Sequence, residues 1–454
     1  MSPSEPLIVV GGGLAGCEAA WQAAEAGIAV RLFEMRPHRR SPAHQTDRLA
    51  ELVCSNSMRG AALENAVGLL KEELFRCSSL VIEAARRSAV PAGGALAVDR
   101  ERFSAEVERK IAEHPLIELR REEIGALPPA RPAIVACGPL PGPGLADAID
   151  RLVGARRLHY YDAAAPIVAA DSIDETPMFR KSRYDKGDGD DYLNIPLDRE
   201  TYLRLVEDLR TLPRHEPKEF EKEREDGKVP YFEGCLPIEE MADRGEDTLR
   251  FGPLKPVGLR DPRTGKTPYA VVQLRKENAA GTALNLVGFQ TRLSWPAQKE
   301  AFGKLPGLQD AEWIRLGVMH RNTFIESPRL LDAHLRLRSR PALWFAGQIT
   351  GAEGYVEAAA CGLIAGRAAA RTLQELEPLA VPADSALGAI VAHLTNEATA
   401  DFQPANVSWA YFTPPPGPPI REKKARRLAM AERALALVEA WDAAHRATRL
   451  ARVG

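Results

Sequence analysis

The sequence predicts an α/β protein: a doubly wound, Rossmann-like domain built from two sequence-distant halves, with an α+β domain inserted between them. Three observations carry that expectation. An apolar run, Leu7-Ile8-Val9-Val10, leads straight into a G-x-G-x-x-G turn at Gly11, Gly13 and Gly16, and then into an Ala-rich segment. A second strand–glycine–helix pattern returns far along the chain at Leu343-Trp344-Phe345-Ala346. Between the two, from near residue 158, the chain gains aromatics, charge and turns, as an inserted domain would.

In the first unit Gly11 permits the tight turn, Gly13 lets the backbone approach a pyrophosphate, and Gly16 lets helix and strand pack closely. Gly12, Leu14 and Ala15 complete the turn and open the helix, whose unpaired N–H groups and positive dipole end suit phosphates. A second apolar run, Ile28 to Phe33, ends in Glu34, 18 residues beyond Gly16 and placed to accept from a ribose diol. A plain glycine-rich turn would lack the flanking strand, helix and acid. No second G-x-G-x-x-G follows a strand. One dinucleotide is therefore held tightly and a nicotinamide reductant has no Rossmann domain of its own, which favours FAD over NAD as the resident cofactor.

Residues 36–61 read as polar and irregular, with a basic cluster at Arg36 to Arg40. Residues 62–90 read as one helix from the spacing of Leu69, Leu70, Leu74, Leu80, Val81 and Ile82, and 100–113 as another. Ala133 to Cys137 is a short buried strand ending at Gly138-Pro139. In the later half Gly347 and Gln348 follow the strand, and Tyr355 to Ala370 is a helix whose Gly362 and Gly366 allow close packing. Large flavin folds close their site this way, with the helix N-terminus aimed at the cofactor. The Pro-rich Thr413 to Pro419 is a stiff spacer, and Ile420 to Ala447 a basic amphipathic helix. The expected domains are 1–157, the first half of the FAD-binding domain; 158–330, an inserted substrate domain; and 331–454, the second half.

With 454 residues, 45% hydrophobic and 27% charged, the composition is that of a globular protein with a large core. A formal net charge of −2 excludes a field spread over the whole molecule that would attract a polyanion, so any nucleic-acid surface is a local patch. Candidates are Arg36 to Arg40, Arg86-Arg87 and Arg421 to Arg427. No run is long enough to span a bilayer, and the first apolar run lacks the basic flank of a signal peptide. The expectation is a soluble, cytoplasmic protein without a membrane partner. Cysteine and histidine spacing predicts neither a metal site nor a disulfide framework.

Four of the six cysteines, Cys17, Cys77, Cys137 and Cys361, fall in helices or a buried strand, where cysteine acts as a small hydrophobe. Cys54, in Val53-Cys54-Ser55-Asn56-Ser57, and Cys235, in Gly234-Cys235-Leu236-Pro237, lie instead on polar turns, where a thiol can be exposed and activated.

Five blocks, GGGLAGCEAAWQAAEAGIAVRLFEMRP, LVCSNSMRG, YFEGCLPIEEMADRG, LNLVGFQTRL and FAGQITGAEGYVEAAACGLIAGRAAAR, together resemble the folate- and FAD-dependent tRNA uracil-5-methyltransferases, the TrmFO family. The likeness runs from near residue 7 to past residue 410 and includes both cysteine blocks. The related GidA/MnmG wobble-uridine modifiers share the opening motif and the later Gly-rich helix on longer chains. They remain one alternative, and a flavin oxidoreductase without an RNA substrate another. The resemblance implies methylation of the T-loop uridine, position 54 of tRNA, with carbon from 5,10-methylenetetrahydrofolate and electrons from reduced FAD restored by NAD(P)H. It implies two working thiols: Cys235 as nucleophile at uracil C6 and Cys54 as second thiol or base, with the roles exchangeable. Tyr355 becomes a candidate for packing on the flavin, and His320 a candidate stacking partner for a pterin. A T-loop base is tucked into tertiary structure and has to be extruded to be reached.

Overall fold

The computed structural model describes residues 5–128, 132–154, 157–215, 236–399 and 402–453, without the side chains of 157–162, 320–321 and 448–453. Its centre is a five-stranded sheet in the order Leu343–Phe345, Ala133–Val135, Leu7–Val10, Val30–Phe33, Ile117–Arg120. Every pairing is parallel, with Leu7 opposite Val30, Ile8 opposite Ala133, and Leu343 also opposite Ala133. Buried on both faces, the central strands are continuous apolar runs rather than alternating ones. The chain moves outward from Leu7–Val10 on one side, then returns to its other side with Ala133–Val135 and Leu343–Phe345. A topological switch point opens there, where open α/β sheets bind their ligands.

The two halves are joined by helix on helix. Leu14–Glu25 lies against Tyr355–Leu373 so closely that a Cβ at Gly362 would stand 2.2 Å from the Ala15 carbonyl oxygen, and one at Gly366 2.6 Å from that of Ala19. Residues 167–315 build a six-stranded sheet, antiparallel at each pairing, in the order Phe179–Arg180, Tyr192–Leu197, Ala270–Lys276, Ala283–Leu286, Ile167–Ala169, Trp313–Arg315. Helices Arg199–Thr211, Ile238–Asp243 and Trp295–Gly303 cover it over a separate core that includes Tyr202, Phe289 and Phe302. The strands Arg157–Ala163 and Met319–Ile325, paired antiparallel, connect this unit to the nucleotide fold.

Three local expectations are corrected. Residues 62–90 form two helices, Ala66–Arg76 and Leu80–Arg87, followed by a strand at Ala89–Val90. Ser78 takes a left-handed φ of 58° and Ser79 caps the second helix through the Ile82 N–H, so the apolar spacing continues across a break. The segment 36–61 ends in a strand, Ser57–Gly60, paired with Ala95–Val98. The last helix is Lys423–Val453, beginning later and running further than its amphipathic stripe. Among the described residues no helix is long and apolar enough to cross a membrane.

Candidate active site

A cavity of about 350 Å³ lies at the switch point and collects most of the residues singled out by the sequence: Gly11 to Ala15, Glu34, Cys54, Gly347, Gln348 and Tyr355 line it. The three motif glycines divide their work. Gly11 has φ 107°, and a Cβ there would meet the Ala136 carbonyl oxygen at 2.4 Å. A Cβ at Gly16 would come within 1.7 Å of the Gly11 oxygen, so Gly16 is a packing position behind the cavity. At Gly13 a Cβ would meet nothing within 4 Å, because that position faces the open space. Gly13 precedes the helix Leu14–Glu25 with no side-chain cap, which leaves the helix's first N–H groups facing the cavity.

Glu34, at the end of its strand and 5% exposed, accepts from the Gly12 N–H at 2.8 Å on Oε2, and from Arg36 N–H at 3.0 Å and Nε–H at 2.7 Å on Oε1. Burial pushes its carboxyl up, but the Arg36 guanidinium and the two backbone donors outweigh it and hold the group below the usual carboxylate range. The acid therefore fixes the glycine turn as well as facing the cavity. Arg36 is 1% exposed and also meets Glu51 at 3.2 Å. This corrects its reading as a nucleic-acid contact: the later members of that basic run, His38, Arg39 and Arg40, are the ones that reach solvent.

The opposite wall comes from the second half. Gln348 donates to Glu353 at 2.7 Å, and the helix Tyr355–Leu373 starts at the cavity. The Tyr355 hydroxyl oxygen accepts from the Cys54 N–H at 2.8 Å and the Ser55 N–H at 3.2 Å. Burial pushes this phenol well above its ordinary value. Cys54 is half-buried, with Sγ 3.7 Å from the Ala163 carbonyl oxygen. Cys137 also lines the cavity and is half-buried like Cys54, on the turn past the strand Ala133–Val135, which corrects its reading as the end of a buried strand. Loss of hydration nevertheless pushes its thiol up to about 12, as it does for the buried Cys77 and Cys361, and it raises Cys17 as well.

Cys235 lies outside the described residues. The chain resumes at Leu236, which is buried, and Ile238 donates its N–H to the Gln290 carbonyl at 2.7 Å, with Gln290 on the cavity wall. His320 stands opposite Asp162 in the connecting strand pair, and its side chain is outside the description.

Sequence reasoning missed the groups that hold the Cys54 loop. Arg100 donates to the Leu52 carbonyl at 2.6 Å and the Cys54 carbonyl at 3.0 Å; Arg315 donates to the Val53 carbonyl at 2.7 Å. Arg275 donates to Asn56 Oδ1 and Ser55 Oγ, both at 3.0 Å. Arg59, on the cavity wall, pairs with the fully buried Glu357. No local spacing signals any of these partners.

Fold and cavity together define a dinucleotide-binding α/β protein with a cysteine loop on the wall of its nucleotide cleft. Residues 6–377 match the family model described as Glucose inhibited division protein A. The methylenetetrahydrofolate–tRNA-(uracil-5-)-methyltransferase TrmFO of Heliobacterium modesticaldum is 57% identical over 437 residues, spanning 96% of this chain and 98% of the relative. The TrmFO of Geobacter sulfurreducens is 56% identical over 96% of this chain and 98% of its own length. Aquifex aeolicus GidA, in its form II crystal, superposes with a TM-score of 0.69 at 15% identity, over 98% of this chain and 74% of that one, a likeness of fold. The chain belongs to the TrmFO family, within the wider group that the family model describes.

Proposed function

We infer that this protein methylates C5 of the T-loop uridine, position 54 of tRNA, taking its carbon from 5,10-methylenetetrahydrofolate. The reading is supported by its relatives, whose printed name is methylenetetrahydrofolate–tRNA-(uracil-5-)-methyltransferase, at up to 57% identity over nearly the whole chain. The single structural observation that carries it is the half-buried Cys54 on the wall of the cavity that the glycine turn also lines.

The residues present fit FAD. Gly13 offers open backbone, the uncapped helix Leu14–Glu25 offers N–H groups, and Glu34 offers carboxylate lone pairs beyond its three existing bonds. Gly11, Gly12, Leu14 and Ala15 would flank its pyrophosphate, and Gly347 and Gln348 would close it from the other half. When bound and reduced, FAD supplies the hydride equivalent of the reaction, with NAD(P)H restoring it.

The protein's own part is nucleophilic and basic. Uracil C5 is a weak nucleophile until a thiolate adds at C6, and Cys235 is assigned that addition. The resulting enolate bonds through C5 to the one-carbon unit. Cys54, acting as second thiol or base, takes the C5 proton as the carbon–nitrogen bond to the folate breaks and tetrahydrofolate leaves, giving an exocyclic methylene at C5. Addition of the hydride equivalent to that methylene completes the methyl group and expels the Cys235 thiolate from C6. Tyr355 orients the Cys54 backbone through its two accepted hydrogen bonds. In this reading the unit spanning 158–330 is the substrate domain, His320 stacks on the pterin, and the enzyme works in the cytoplasm on tRNA and folate.

The test is incubation of the reduced protein with unmodified tRNA and labelled methylenetetrahydrofolate, followed by nucleoside analysis. Labelled 5-methyluridine is expected from the parent and none from Cys235→Ala, which should still hold FAD. A carboxymethylaminomethyl product would select the wobble-uridine reading. Full activity of Cys235→Ala would remove the assigned nucleophile.

A further inference from the structure

Three consecutive carbonyls of the Cys54 loop each receive a guanidinium: Leu52 and Cys54 from Arg100, and Val53 from Arg315. Arg275 takes the next two side chains, Ser55 and Asn56. Arg100 stands at the start of the helix Arg100–Glu113, whereas Arg275 and Arg315 lie on strands of the six-stranded sheet. Two separate structural units thus grip one short loop.

The charges do not balance locally. Glu277 meets Arg100 at 2.6 Å, and among the described residues no other carboxylate pairs with Arg100, Arg275 or Arg315. The Nε of Arg315 is buried with no hydrogen-bond partner among those residues. Burial and the neighbouring Arg100 push the Arg315 guanidinium below its ordinary value, as expected of like charges held together away from water. Among the described residues the charged or titratable groups that interact with Cys54 are Arg100, Arg315 and the Tyr355 hydroxyl, with Glu277 behind the arginines. Among the described residues the groups here that can carry negative charge are Glu277, the cysteine sulfur and the Tyr355 hydroxyl, and burial pushes the Tyr355 phenol well above its ordinary value, which leaves the sulfur.

We propose that Arg315 and Arg100 are positioning residues that hold the Cys54 loop in place and stabilise negative charge on its sulfur. Arg275 locks the adjoining residues, so the inserted sheet and the nucleotide fold jointly set the thiol's reactivity. The inference deepens the function above and rests on the reading of Cys54 as a working thiol of that reaction. A cation within a few ångströms of a thiol favours the thiolate, most strongly where water is excluded.

The test is the pH profile of Cys54 alkylation by iodoacetamide, resolved by mass spectrometry of the peptide carrying Cys54, in the flavin-loaded full chain. For Arg315→Gln the midpoint is expected to rise by about one pH unit and the rate at neutral pH to fall about tenfold. Arg315→Lys, which keeps the charge, should stay near the parent profile. Should Arg315→Gln fail to fold, Arg100→Gln is read the same way against Arg100→Lys. A glutamine profile overlaying the parent, or equal shifts in the glutamine and lysine variants, overturns the proposal. The assay contains neither tRNA nor folate. A protein that shows the shift but forms no 5-methyluridine would therefore defeat the methyltransferase reading and leave this one standing.

Discussion

Replacing Glu34 by glutamine removes one charge and turns one oxygen into a donor, at a group that now accepts from three donors. The amide has a single acceptor oxygen. The orientation that keeps both Arg36 bonds turns its NH2 toward the Gly12 N–H, leaving a buried backbone donor unpaired at a cost of about 1–3 kcal/mol. Loss of a buried ion pair by removing one partner costs about 3–5 kcal/mol, and with side chains 1% and 5% exposed this pair is little screened. Arg36 keeps Glu51 at 3.2 Å, which offsets part of that loss. The net expectation is destabilisation of the flavin-free protein by about 3 kcal/mol at neutral pH, read from urea denaturation. Because the Glu34 carboxyl is held below its ordinary range, its contribution is complete above the unfolded value of about 4.3 and disappears as pH falls through the lower folded value. Parent and Glu34→Gln curves should therefore converge in acid. An unchanged urea midpoint at neutral pH, or a gap that persists undiminished at low pH, would refute the assigned role of Glu34 in fixing the turn.

Gly13→Ala and Gly16→Ala should part company. The Gly13 Cβ enters open cavity, so the fold should melt as before while FAD affinity drops, whereas the Gly16 Cβ meets the Gly11 oxygen at 1.7 Å and should lower the melting temperature of the flavin-free protein. Equal behaviour of the two in flavin titration and thermal melting would contradict the division of labour. Lys71 is 4% exposed and donates to the carbonyls of Met58 and Gly60, on either side of Arg59. Burial, and then the Arg59 charge, push its amino group down to about 7. Between that value and its ordinary 10.5 the unfolded chain binds a proton that the folded chain does not, so stability rises with pH through this window and the penalty is complete below it. Lys71→Met should remove up to about 5 kcal/mol of that rise. Melting temperatures of parent and variant running parallel from neutral to alkaline pH would show that Lys71 is not the titrating group.

What could be read from the sequence was what is written locally. The strand, glycine turn, helix and acid from Leu7 to Glu34 lie in one short stretch, and periodicity plus three glycines specify them without help from the rest of the chain. The same holds for Leu343–Phe345 and the helix Tyr355–Leu373. The break at Ser78 escaped because a left-handed residue without glycine carries no compositional mark, although Ser79 is a good N-cap. Arg36 was misread because a basic run usually marks a solvated face, and here its first member turns inward to the acid two residues before it. Cys137 and Cys54 both reach the cavity and both are half-buried, a likeness that escaped because the apolar run Ala133 to Cys137 reads as one strand, whereas the strand ends at Val135 and Cys137 stands on the turn beyond it.

The part that could not be read is the assembly around Cys54. Positions 54, 100, 275, 315 and 355 meet only because the chain leaves the nucleotide fold, builds a second sheet and comes back. A formal charge of −2 over 454 residues gives no hint that three arginines gather at one loop, against a single glutamate among the described residues. Local excess of this kind is what a reactive sulfur needs, and it has to be imported, because a loop rich in its own basic residues would be drawn into solvent. Drawing the cations from separate elements holds them where water is scarce and the field is strong. It also ties the thiol to the placement of the inserted sheet, so that displacing that sheet from the nucleotide fold would withdraw Arg275 and Arg315 from the loop together.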